Sequence, residues 1–414
     1  MALPYPVIVV PGITATYLQD EYPIPPVDIW KVVKKQYERI MLHPNDLRYD
    51  ALEPARVRPG QLYEIAYEEL IEELRYNLSP REDQPVPVYP FGYDWRMPLE
   101  ITEIQLAAFV DEVIERTKLL RHYHKEKYND NPRVNLIGHS MGGLIIAGYL
   151  EREGGRAPVD KVVTLATPFQ GSFEAVIKVA TGTADLGTTP PGSREREASR
   201  ITPALYHLIP SFANGIDAEV TDQILPGTLF NPGLWQPGVI ESLAEFIRKK
   251  GLPSEKTKKE QAEDLFAFLL AQAKKHRDRI DEFKLSMAKM TDKNWLAIVG
   301  VDAPTRVRLR IVKRGNQPDF VLTGKDRKNE WANEDPQKRR LTGDGTVPFE
   351  GAVPKFLEER NLVLVTPEDY GYWEIQNRAL VKVAGFHGLL PSMNMLHRMI
   401  VRFFKDQPDK RKNT

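Results

Sequence analysis

The chain has 414 residues, 42% of them hydrophobic, enough to bury a sizeable core in one large domain with insertions or in several domains. Lys plus Arg and Asp plus Glu each number 57, so the formal charge is zero and the basic excess of a nucleic-acid binder is absent. There is no cysteine, which removes disulfides, thiolate metal sites and a cysteine nucleophile, and fits a reducing cytosol.

The chain starts with "MALPYPVIVVPGITATYL". The β-branched run closed by Pro11-Gly12 reads as a buried strand and a turn. It lacks the positive flank of a signal peptide, and no apolar stretch approaches the ~18 residues that span a bilayer. A cytoplasmic protein without a transmembrane segment is the expectation. "DIWKVVKK" and "YEIAYEELIEELRYNL" have helical spacing, "QPVPVYPFGYDWRMP" is extended and proline-bounded, and "TEIQLAAFVDEVIERTKLLRHYHKEKY" is a long amphipathic helix. "RVNLIG" then reads as a strand, "GGLIIAGYLER" as a helix and "VDKVVTLATP" as a strand. Apolar strands alternating with helices imply a parallel sheet covered on both faces.

The rhythm breaks from about Gly171 to Asp292, where no convincing strand appears. "TGTADLGTTPPGSRERE" reads as a loop, and "ALYHLIPSF", "GVIESLAEFIRKK" and "AEDLFAFLLAQAKKHRDRIDEFKLSMAKM" as helices. The sheet pattern resumes with "NWLAIVGVD", then "RVRLRIVKRG" and "DFVLTG", with a further strand in "YWEIQNRALVKVAG". The last helix is "SMNMLHRMIVRFFKD", with Ser392 as its N-cap. The expected organisation is an α/β core in two parts, residues 1–170 and 293–414, interrupted by a helical cap or lid over residues 171–292. An insertion that long is far beyond an ordinary connection and reads as a cap over a site.

The chemistry centres on Gly138-His139-Ser140-Met141-Gly142, a G-x-S-x-G between a strand and a helix. Such a turn lifts a serine to the top of the sheet, and small residues on either side avoid clashes. The helix N-terminus favours the negative charge that develops when the serine attacks. A serine nucleophile needs a base, and in this arrangement the order is serine, acid, histidine. His207 and His276 fall in helical cap segments and His397 inside the last helix. His387, in "VAGFHGLLPS", sits on a glycine-flanked loop able to reach over the sheet edge. Two acids compete to orient it: Asp302 at the end of "NWLAIVGV" and Asp344 in the tight turn "LTGDGTVPFEGA". Spacing leaves that choice open. The oxyanion hole needs two backbone N–H groups, one from Met141 and one from the loop after the first strand, with Ile13 chosen over Gly12 and Thr14. No metal and no cofactor are required.

Several segments coincide in order along residues 7 to 388: "VVPGITATYL", "PFGYDWRMP", "NLIGHSMGG", "ATPFQGS", "ALYHLIP", "VGVDAPT", "LTGDGTVP" and "FHG". On these the chain resembles the lecithin:cholesterol acyltransferase family, which includes phospholipid:diacylglycerol acyltransferases and lysosomal phospholipase A2. The resemblance implies an α/β-hydrolase fold with a cap and a lid. It also implies cleavage of a lipid acyl ester, with the acyl group passed to water or to an alcohol acceptor. Ser140 then matches the nucleophile, Asp344 the acid and His387 the base, while "VGVDAPT" matches a segment that does not supply the acid. Gly12 and Thr14 match the stretch lining the oxyanion hole and acyl pocket, Asp94, Trp95 and Arg96 a structural Asp–Arg segment near the site, and Trp30 either an acyl-binding or membrane-facing region or, equally, a core tryptophan. Trp95 and Trp30 are accordingly carried as substrate-binding candidates. Secreted animal members carry disulfides and plant and fungal acyltransferases a membrane span; neither feature appears here. "GHSMGG" with "VVTLATPFQGS" is also similar to lipase-like relatives of the glycosylphosphatidylinositol inositol deacylases. The expected partner is a lipid or other acyl-ester substrate, with transient membrane-surface contact through the cap. An acyltransferase is the nearest alternative, and a non-catalytic lipid-binding protein the alternative of a different class.

Overall fold

The computed structural model describes residues 3–31, 34–183, 192–221, 223–322, 327–328, 335, 338, 341–371, 374 and 385–407. Among these residues the central sheet has six strands: β1 (Val7–Val10), β2 (Val88–Pro90), β3 (Val134–His139), β4 (Val159–Leu165), β5 (Trp295–Gly300) and β6 (Leu362–Val365). Their order is β6-β5-β4-β3-β1-β2, and every pairing is parallel. β1 and β3 are buried along their whole length, as expected of strands covered on both faces. Alternation divides the core. Ile8, Val10 and Leu136 face one apolar cluster, while Val7, Val9 and Ile137 face the other.

Helices cover both faces. α1 (Glu64–Leu78) buries Ala66, Tyr67, Leu70, Ile71, Leu74 and Leu78, a helical stripe, and shares its side of the sheet with α7 (Asn394–Phe404). α2 (Leu99–Lys118) and α3 (Met141–Glu153) cover the opposite face. From Met141 to Leu150 every residue of α3 is buried, so this helix lies inside the molecule, between the sheet and further helices. α7 has Met393 at its N-cap with no side-chain cap. Ser392 Oγ instead donates to the Leu389 carbonyl at 2.8 Å, so Ser392 is not the cap expected from the sequence.

Residues 171–292 contribute α4 (Phe173–Thr181), α5 (Gly238–Lys250) and α6 (Lys258–Glu282). α6 opens with a capping box: Thr257 accepts from the Glu260 N–H, and Glu260 accepts from the Thr257 N–H. These helices enclose their own apolar cluster, including Phe173, Tyr206, Trp235, Leu243, Phe266 and Leu270. The segment also holds a short strand that the sequence did not announce, Ile216–Ala218. It pairs in parallel with Leu309–Arg314, which turns back antiparallel onto Gln317–Val321. The sequence pattern suggests that "RVRLRIVKRG" and "DFVLTG" return to the main sheet. They form instead this separate three-stranded sheet and send Leu309, Ile311 and Phe320 into the same apolar cluster. Their alternating apolar and charged residues suit a sheet with one wet face, not a doubly covered one.

A second departure follows β1. "DIW" belongs to a strand, Val27–Trp30, in an antiparallel sheet with Thr16–Asp20 and Val57–Leu62, and not to a helix. The β-branched and aromatic residues of Val27–Trp30 fit a pleated surface, and Thr16–Asp20 supplies the partner strand. The expected strand in "YWEIQNRALVKVAG" and most of the "TGTADLGTTPPGS" loop lie outside the described residues. Among the described residues, no helix is long and apolar enough to cross a membrane.

Candidate active site

The site sits at the carboxyl ends of the parallel strands, the usual crevice for ligands in open α/β sheets. At the end of β3 the chain passes into α3 through Ser140, held at φ 52° and ψ −124°. A residue with a side chain rarely adopts that backbone, and here the surroundings impose it. A Cβ on Gly138 would lie 2.7 Å from the Gly143 backbone, and one on Gly142 would run into the Val10 and Pro11 carbonyls. The two glycines of G-x-S-x-G are therefore required by the packing of β3, α3 and the end of β1 around one tight turn.

The structure brings Ser140, His387 and Asp344 together. His387 Nε2 lies 2.9 Å from Ser140 Oγ, and His387 Nδ1 lies 2.7 Å from Asp344 Oδ2. The other oxygen, Asp344 Oδ1, accepts the N–H groups of Thr346 and Val347 at 2.9 and 2.7 Å. Asp344 is thus fixed by its own turn and almost completely buried. The His387 N–H donates to the Asp344 carbonyl at 3.1 Å, tying the turn that carries His387, Phe386–Leu389, to the one that carries Asp344.

Asp302 is not part of this chain of contacts. Its N–H donates to Thr342 Oγ1 at 2.9 Å, and its carboxyl is pushed above the ordinary range by partial burial and by Glu368. His397 is buried with Nε2 2.7 Å from the Pro391 carbonyl. His207 and His276 are buried together, ring centroids 4.8 Å apart, and His276 Nε2 is 2.7 Å from Glu103 Oε1.

Ile13 and Met141 follow the ends of β1 and β3. Met141 is the first residue of α3, so its N–H has no acceptor within the helix. The Gly12 N–H donates to the Tyr67 hydroxyl at 3.0 Å, and a Cβ at Gly12 would sit 3.0 Å from Ser140 Cβ. Ile13 packs against both the main core and the apolar cluster of residues 171–292. Thr14 has φ 64°, and its carbonyl accepts from Trp30 Nε1 at 3.0 Å. Trp95 Nε1 donates to the Thr16 carbonyl at 3.2 Å, and the two indoles lie 4.8 Å apart. With 4% and 3% exposure, Trp30 and Trp95 offer a ligand almost no surface. They brace the loop that carries residues 12–16. Arg96 is buried, bonded twice to Asp94, to Asp50 at 2.7 Å and to the Ile40 carbonyl at 3.0 Å.

Sequence reading passes over Tyr67 and His139. Burial pushes the His139 imidazole down to about 3, and the nearby His387 adds to the effect. His139 Nδ1 is 2.6 Å from the Tyr67 hydroxyl, and His139 Nε2 is 3.0 Å from the His387 carbonyl. In the sequence Tyr67 is only one member of an apolar helical stripe, and nothing in a stripe reveals where a hydroxyl points. Among the described residues no cluster of His, Asp and Glu side chains is placed to hold a metal ion.

A doubly covered parallel sheet with a serine on the turn after a central strand defines an α/β-hydrolase fold. The lecithin:cholesterol acyltransferase family model matches residues 50–353, and the chain belongs to that family. The match takes in Ser140 and Asp344 and ends before His387. The family places the chain among enzymes that act on lipid acyl esters. Of solved structures, the chain is similar to "The crystal structure of Tle4-Tli4 complex", at 15% identity and TM-score 0.55 over 85% of this chain and 89% of that one. It is also matched by phospholipase PlaB from Legionella pneumophila in complex with thio-NAD, at 16% identity and TM-score 0.27, over 60% of this chain and 36% of that one. Compared by sequence with curated proteins, the chain matches none.

Proposed function

We propose that the chain is a serine acyl-ester hydrolase of the lipase or phospholipase A type, working through an acyl-serine intermediate. The observation that carries this reading is the continuous contact from Ser140 Oγ through the His387 imidazole to Asp344, at 2.9 and 2.7 Å. His387 Nε2 takes the Ser140 proton as Oγ attacks the ester carbonyl, then gives it to the leaving alcohol. Water, deprotonated by the same nitrogen, releases the fatty acid. Asp344 keeps the proton of neutral His387 on Nδ1 and stabilises the imidazolium. The Ile13 and Met141 N–H groups receive the developing oxyanion, and each such donor is worth about 10²–10³ in turnover.

Residues 171–292 serve as a cap in this reading. Their apolar cluster meets the main core at Ile13, Leu47 and Leu265, and Ile13 follows Gly12, where a Cβ would sit 3.0 Å from Ser140 Cβ, so the acyl chain of the ester would run toward that junction. If the cap binds the acyl chain, each buried methylene contributes about 0.8 kcal/mol, and kcat/KM for p-nitrophenyl esters rises with chain length until the pocket fills. A flat profile across chain lengths would contradict a lipid-binding cap.

Family membership favours one further reading, transfer of the acyl group to an alcohol in place of water. The same residues would perform it. Product analysis with a lipid alcohol added to the assay separates the two: an ester of that alcohol signals transfer, and free fatty acid alone signals hydrolysis.

A further inference from the structure

Four stretches far apart in sequence meet behind the serine in one line of hydrogen bonds. The Gly12 N–H is 3.0 Å from the Tyr67 hydroxyl, that hydroxyl is 2.6 Å from His139 Nδ1, and His139 Nε2 is 3.0 Å from the His387 carbonyl. The two ends fix the direction of every proton between them. A backbone N–H can only donate, so the Tyr67 oxygen accepts from Gly12. A backbone carbonyl can only accept, so His139 carries its proton on Nε2 and leaves Nδ1 bare for the Tyr67 O–H. Tyr67 and His139 are both buried, and α1 supplies Tyr67 from the face of the sheet opposite α3.

We propose that Tyr67 and His139 are positioning residues that hold the loop after β1 and the backbone of His387 in register with Ser140. The inference rests on the acyl-serine reading and adds two residues to it. Both of its end points are on the reacting assembly. Gly12 precedes the Ile13 N–H assigned to the oxyanion, and its peptide is pinned by Tyr67. The His387 backbone is held on both sides, its N–H by the Asp344 carbonyl at 3.1 Å and its C=O by His139. With that peptide immobile, the Nδ1 bond to Asp344 leaves the imidazole little freedom to swing away from Ser140 Oγ. Burial, and the nearby His387, keep His139 neutral. Its ring centroid is 5.3 Å from that of His387, so a charged His139 would oppose the imidazolium that forms in the transition state. The residue between the first glycine and the serine is thereby given a task of its own.

The test is a double-mutant cycle with Tyr67→Phe and His139→Gln. Tyr67→Phe keeps the ring and orphans a buried donor and a buried acceptor. His139→Gln keeps an N–H donor and loses the ring acceptor. Each should lower kcat for a short soluble p-nitrophenyl ester by about 5- to 100-fold, with KM little changed. The pair together should be scarcely worse than the worse single variant, because both break the same line. Tyr123→Phe is the structural control. It removes a buried hydroxyl bonded to the Pro4 carbonyl at 2.7 Å, ahead of β1, and should leave kcat unchanged. Should His139→Gln fail to fold, Tyr67→Phe alone decides the matter, through the rate at which a fluorophosphonate labels Ser140. Labelling of Tyr67→Phe at the parent rate, or losses that multiply in the double variant, would overturn the inference. A parent chain that takes no phosphonate at Ser140 would overturn the acyl-serine reading instead.

Discussion

Replacing Asp344 with asparagine removes one negative charge and almost no volume, so its effect isolates what the carboxylate does. Asp344 Oδ1 is held by the N–H groups of Thr346 and Val347, and Oδ2 faces His387 Nδ1. Only the amide oxygen can accept from those two N–H groups, so the substituted side chain must turn its NH₂ toward His387. Nδ1 then has to accept and the imidazole proton moves to Nε2, where it faces Ser140 Oγ. The base has lost the lone pair it needs, while all the heavy atoms stay in place. A tautomer trap of this kind costs up to about 10⁴ in kcat, or about 5 kcal/mol of transition-state stabilisation. The assay is steady-state hydrolysis of a soluble p-nitrophenyl ester, with thermal unfolding to show that the fold survives. Asp302→Asn should be mild, since that carboxyl lies outside the Ser140–His387 line. Asp344→Asn keeping more than about a tenth of the parent kcat would refute the reasoning, and so would a severe effect confined to Asp302→Asn.

His207 is buried with neither ring nitrogen hydrogen-bonded, its Nε2 3.7 Å from Glu100 Oε2, and burial followed by His276 and Arg277 pushes its pKa well below the ordinary value. The unfolded chain, with a histidine pKa near ~6.5, binds a proton that the folded chain refuses, so this residue drains stability as pH falls below that value. His207→Phe should therefore flatten the pH dependence of the denaturant midpoint between pH ~8 and ~5, and an unchanged dependence would contradict this. Arg96→Met leaves Asp94 and Asp50 facing each other without their shared cation and should destabilise the fold by about 3–5 kcal/mol, measured by chemical unfolding; a change below about 1 kcal/mol would show that those carboxylates find other partners.

Much of the architecture can be read from the sequence because it rests on short-range patterns. Val7–Val10 and Val134–His139 are continuous apolar runs that only a doubly covered strand tolerates, and the stripe along Glu64–Leu78 fits one helical face. Ser140 is legible because its turn constrains the residues on both sides. Asp344 and Asp302 are not separable by spacing. What separates them is which carboxyl meets an imidazole from a segment more than forty residues away, and family resemblance points to the one the structure places there. The errors share a cause. Val27–Trp30 is misread because its helical-looking spacing competes with β-branched and aromatic side chains and with a partner strand in Thr16–Asp20. Leu309–Arg314 goes to the wrong sheet because alternation identifies a strand but not its neighbour. Tyr67 and His139 escape notice because a buried hydroxyl or imidazole acquires its role from atoms contributed by four distant stretches.

The most direct test of the central claim is covalent capture of the nucleophile. The protein is treated with a long-chain p-nitrophenyl phosphonate, the whole-chain mass is measured, and the modified residue is located by peptide mapping. The account predicts a single adduct, on Ser140, absent in Ser140→Ala and formed far more slowly in His387→Ala. An adduct on another residue, no adduct at all, or labelling of His387→Ala at the parent rate would contradict it.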